Sequence, residues 1–156
     1  MDVNQFKGSF AEMARPNRYI LSGGGLPGRA EVLAKATSLP PTSIGKIEVG
    51  HMGWRVPIPG DRVFDDWSMT FYQDRTNSLR NYFQAWKTII ENSNAHAQYK
   101  RDFKIQQLFR NGEIVVESYT LFGCVLTDFG QVELDWSSND TAAEFSITVA
   151  YDYFER

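Results

Sequence analysis

Alternation with a period of two runs through most of this 156-residue chain, and it restricts the chain to half-buried β-strands, whose successive side chains face opposite sides. Between Trp67 and Phe71, the residues Trp67, Met69 and Phe71 share one face while Ser68 and Thr70 share the other. Near the carboxyl terminus Phe145, Ile147, Val149 and Tyr151 alternate with Ser146, Thr148, Ala150 and Asp152. The same reading places strands at 19–22, 31–34, 44–49, 51–58, 103–109, 113–125 and 132–136. Arg110-Asn111-Gly112 supplies a hairpin turn between two of them.

One stretch departs from this period. After Asp74, a suitable N-cap, apolar residues fall at Leu79, Tyr82, Phe83, Trp86, Ile89 and Ile90, the stripe of an amphipathic helix over 75–93. The expected fold is mainly β: an antiparallel barrel or sandwich flanked by one helix. A chain of this length suits a single domain, 1–156, and four Trp, seven Tyr and eleven Phe give it the apolar mass for a core.

Several function classes recede on the same residues. A formal charge of −3 lacks the basic footprint of a protein that grips nucleic acid by its phosphates. The amino terminus carries no signal-peptide pattern, and the longest apolar run, Leu121 to Leu126, is far too short for a membrane anchor. Cys124, the sole cysteine, sits among apolar neighbours as a buried thiol would.

Gly23, Gly25 and Gly28 spell a dinucleotide-binding pattern, with Glu48 about twenty residues on. The fingerprint, however, needs a helix opening directly at the glycines, and the expected helix starts fifty residues later. A flexible hairpin turn is the better reading. His51, His96 and Cys124 do not fall at metal-site spacings, and no nucleophile or phosphate-loop motif is present. Asp61, Asp65 and Asp66 lack the alternating ligand spacing of a calcium loop, so "GDRVFDDW" reads as a joint leading into a core strand at Trp67. No catalytic, cofactor or metal site is expected.

The ordered blocks "ARPNRY", "KATSLP", "GDRVFDDWSMTF", the aromatic-rich helix and "VELDWSSNDTAAEFSITVAYDYFE" resemble the tail tube proteins of T4-like contractile-tailed bacteriophages over nearly the whole chain. That resemblance implies sixfold rings stacked helically into a hollow tube, similar to those of type VI secretion and R-type pyocins. It implies a virion protein assembled in the host bacterial cytoplasm. The partners it implies are copies of itself, a tail sheath protein, a tape-measure protein in the lumen, and baseplate and tail terminator proteins. Double-stranded DNA would pass through transiently.

Ile44 to Pro59 is then expected to be an extended excursion, rather than a compact strand pair, that touches the adjacent ring through Ile47, His51, Met52 and Trp54. Glu117, and Glu133 with Asp135 alternating against Val132, Leu134 and Trp136, are the expected lumen-facing carboxylates. A ring would carry about −18, six times −3. The competing readings are a tube protein or tube initiator of a related injection system, and a small β-barrel that binds a ligand.

Overall fold

A computed structural model describes residue 3 and residues 16–109, 112–113 and 115–156. Nine strands are formed there: β1 (Tyr19–Gly23), β2 (Ala34–Thr37), β3 (Thr42–His51), β4 (Trp54–Phe64), β5 (Trp67–Tyr72), β6 (Arg101–Leu108), β7 (Val115–Phe129), β8 (Glu144–Ala150) and β9 (Tyr153–Glu155). The helices are α1 (Ala30–Leu33), α2 (Ser78–Asn92) and α3 (His96–Tyr99).

Seven strands make one antiparallel sheet in the order β1-β6-β7-β8-β5-β2, with β9 beside β7; β3 and β4 pair only with each other. The larger sheet curls on itself. Trp67 of β5 meets Phe103 of β6, 6.4 Å between ring centroids, although two strands separate them in the sheet. The two end strands also approach, where the Tyr19 hydroxyl donates to the Ala34 carbonyl at 3.0 Å. The result is a barrel left open between β1 and β2.

Alternation builds the core as expected. Trp67, Met69 and Phe71 of β5, Phe145, Ile147 and Val149 of β8, and Phe103 and Ile105 of β6 are buried, and α2 closes over them with Leu79, Phe83 and Trp86. The 15-residue β7 serves both halves of the sheet, pairing β6 over its first part and β8 over its last. At Gly123, where φ is +67°, β7 bends, and an added Cβ there would strike the Asp152 side chain.

Four expectations need correction. The stretch 31–34 is mostly helix α1, because Ala30 donates to the Pro27 carbonyl and Leu33 to that of Arg29; four residues of alternation cannot outweigh good helix formers. The glycines at 23–25 do not turn between paired strands: β1 pairs β6, and the loop leads into α1. Asp74 is not the residue flanking α2, a position held by Asn77 with φ of 52°. The Asp74 carboxylate instead accepts from the Ser78 N–H and hydroxyl at 3.2 and 3.1 Å.

The fourth is the strand expected at 132–136, which does not form. Both edges of β8 are already taken by β7 and β5. The Asp135 carboxylate accepts from the Ser137 N–H at 3.0 Å and drags the chain into a turn. The turn expected at 110–112 falls on Arg110 and Asn111, outside the described residues.

Candidate assembly surfaces

The segment expected to be an extended excursion rather than a compact strand pair is a strand pair, in keeping with the alternation read at 44–49 and 51–58. β3 and β4 pair from Thr42 opposite Phe64 to His51 opposite Trp54, with one bulge between Ile44 and Lys46 and an unbroken register from Lys46 opposite Pro59 to the tip. Met52 and Gly53, both left-handed with φ of 46° and 82°, form the tight two-residue tip that matches strand twist. Pro57 and Pro59, opposite Glu48 and Lys46, are tolerated because β4 is an edge strand and the N–H groups they lack would point away from the ladder. They also deny the outer edge of β4 two donors, which makes that edge a poor template for strand addition.

Those faces differ. On one, Ile47 lies opposite Ile58, Val49 opposite Val56 and His51 opposite Trp54, a continuous apolar stripe exposed to water. On the other, Lys46 and Arg55 reach Glu48 at 2.6 and 3.3 Å. Trp54 is 78% exposed and Met52 86%. Surface apolar residues scattered singly are ordinary, whereas a contiguous stripe marks an interaction face. Ile47, His51 and Trp54 therefore share one surface, with Met52 at its tip. Sequence reading missed Val49, Val56 and Ile58, although the same alternation carries them.

The hairpin is clamped where it leaves the barrel. The Trp67 indole donates to the Ser38 carbonyl at 2.7 Å and the Tyr151 hydroxyl to that of Pro41 at 3.2 Å. Phe64, at the end of β4, packs 5.8 Å from the Tyr151 ring and 5.6 Å from Phe154. "GDRVFDDW" is thus the end of β4 and its return into the core, with Asp61, Asp65 and Asp66 exposed around the joint.

A second surface lies at the opposite end of β5 and β8. From Gly130 to Ala143 the chain arches away from the sheet and leaves a recess of about 1440 Å³ between itself and Thr70, Ser146 and Phe145. Leu134 and Trp136 stand on the arch, 88% and 101% exposed. The Asp135 turn fixes this presentation: backbone and hydroxyl donors of Ser137 hold its carboxyl below the usual range.

Glu133 and Asp135 are on this irregular arch, so the strand alternation that would have carried them to a channel wall does not apply. Glu117 lies in β7 on the same face as buried Leu121, where the carboxylate pairs with Arg156.

Other sequence candidates stay apart. His96 packs on Tyr99, and Cys124 is buried with its thiol pushed up to about 12 by desolvation. Among the described residues no group of His, Cys, Asp or Glu is placed to hold a metal ion, and no helix is long and apolar enough to cross a membrane.

A family profile described as phage tail tube protein matches residues 15–156. The tail tube protein gp19 of Enterobacteria phage T4 is 32% identical over 150 residues, covering 92% of each chain. Among solved structures, a chain of the sheath–tube complex of an extracellular contractile injection system superposes with a TM-score of 0.71 at 18% identity, covering 99% of this chain and 97% of that one. A type six secretion system protein follows at a TM-score of 0.54 and 9% identity, over 88% and 80%. Both are likenesses of fold.

Proposed function

The chain belongs to the phage tail tube protein family, and we propose that it is the repeating subunit of the inner tube of a contractile tail. Its role is structural rather than catalytic. In this reading six copies close a ring, rings stack helically, and the bore passes double-stranded DNA. A sheath lies outside, a tape-measure protein inside, and a baseplate and terminator at the ends. Assembly in the bacterial cytoplasm belongs to the same reading.

The observation that carries it is the β3–β4 hairpin with its unpartnered apolar stripe. A head-to-tail contact that does not close on itself propagates as a helix, and a projecting hairpin clamped at one end of the barrel makes such a contact. The open barrel supports ring closure in the same way, since β1 and β2 each present a free edge. Outward-facing Gln106, Ser118 and Thr120, beside Lys104, form a nearly neutral strand surface. With about −18 per ring, six times −3, such a wall favours sliding of phosphates over binding.

Trp54→Asp tests the reading. Placing a carboxylate where the stripe becomes desolvated abolishes tubes seen by sedimentation and electron microscopy, while the cooperative melt of the monomer by circular dichroism is unchanged. Loss of that melt, or normal tubes, would remove the hairpin from the ring contact.

A further inference from the structure

We propose that the recess beneath the 130–143 arch is the seat for the hairpin tip of a second copy. Each chain then gives Met52 and Trp54 to the copy on one side and offers Leu134 and Trp136 to the copy on the other. The proposal rests on the hairpin being a ring contact and adds the surface that receives it.

Position comes first. The hairpin leaves the barrel at the Trp67 end of β5, whereas the arch springs from the other end, where Gln73 donates to the Ala143 carbonyl at 2.8 Å. Copies stacked along this strand direction bring the hairpin of one toward the arch of the next. Reach is sufficient, since the eleven residues of β4 extend about 35 Å and the six of β5 about 20 Å.

Charge agrees. Asp128, Glu133, Asp135 and Glu144 line the recess; Lys35 pairs with Glu144 and Arg80 lies behind Phe129 and Phe145, so the acidity offered to an incoming segment is that of Asp128, Glu133 and Asp135. Arg55 flanks Trp54 at the tip and is 80% exposed, so insertion of the indole brings a guanidinium to the carboxylates. The same acidity disfavours DNA as the occupant.

Size agrees as well. About 1440 Å³ exceeds the roughly 300–1,000 Å³ of small-molecule sites, and the apolar anchors stand on its rim, as suits a protein segment. Trp is enriched among the residues that carry binding energy at interfaces. Here one exposed indole, Trp54 or Trp136, sits on each side of the proposed contact.

The test replaces Met52 with p-benzoyl-phenylalanine and co-assembles this variant with an excess of wild-type chain, so that tubes form even where the variant alone polymerises poorly. After irradiation, mass spectrometry of copy-to-copy cross-links is expected to find residue 52 joined to peptides within 128–146. Capture elsewhere on a second copy overturns the seat and leaves the hairpin contact standing. Capture only on a different protein, or no copy-to-copy capture in tubes that contain the variant, overturns both.

A second measurement uses M52C with L134C in one chain. Because every copy both gives and receives, oxidation of assembled tubes is expected to yield a ladder of disulfide-linked dimers, trimers and higher species, with neither single variant doing so. Buried Cys124 does not compete. Tubes without a ladder overturn the seat.

Discussion

The hairpin and the barrel wall are written in the same pattern and end in opposite environments. Trp67, Met69 and Phe71 of β5 alternate with polar residues and are buried by their own chain. Ile47, Val49, Val56 and Ile58 alternate just as regularly across β3 and β4 and remain in water. Alternation therefore announces that a face will be covered without saying by whom. Topology decides: β5 lies between β8 and β2 under α2, while β3 and β4 have only each other.

The largest test of this contrast pairs one substitution from each region. Phe71 is fully buried with its ring 5.5 Å from Phe83 and 5.8 Å from Phe145, so Phe71→Ala is expected to cost about 3–5 kcal/mol in urea unfolding of the monomer. Ile58→Ser is expected to change the same midpoint by less than about 0.5 kcal/mol, yet to depress tube yield sharply. Equal losses of monomer stability would break the comparison.

A smaller effect sharpens it from the wall side. Gly123→Ala forces a left-handed backbone on a residue with a Cβ and crowds Asp152, which is held by Lys100 at 2.5 Å. The expected cost is about 1–2 kcal/mol, read as a lowered monomer melting temperature. A neutral result would show that β7 does not need glycine to serve both halves of the sheet.

The smallest concerns the arch. Hydrogen bonds from Ser137 lower the Asp135 pKa in the folded state, so the turn's contribution is fully present above the unfolded value near 4 and is lost as pH falls through the lower folded value. The Trp136 indole resonance is expected to shift in that acid window while those of buried Trp67 and Trp86 stay fixed until global unfolding. Asp135→Asn should remove that acid-window transition of the Trp136 resonance.

Much of the barrel was legible, because strands that alternate over six or more residues and a helix with six apolar positions on one stripe leave little choice. Short or competing signals were not. Residues 31–34 alternate for only four positions, and at 132–136 the alternation was real, yet both edges of the following strand β8 were already taken and Asp135 offered the backbone a turn. Half of the hairpin stripe was named from sequence. The two prolines of β4 hid its regularity, since their tolerance depends on which way an edge faces. The recess could not be read at all, because all of its lining but Thr70 comes from 128–146 and it exists only where that stretch arches instead of forming the strand its alternation suggested.

The clamp at the hairpin base carries a mechanical consequence. Ser38 and Pro41, just before β3, are tied to Trp67 and Tyr151 of the barrel, and Phe64 wedges the return strand. A lever pinned at both of its roots transmits torque instead of pivoting. In the tube proposed above, stacked copies joined through such levers would resist bending and twisting as a continuous rod does, and a thrust applied at one end would arrive at the other with little lost to play between rings.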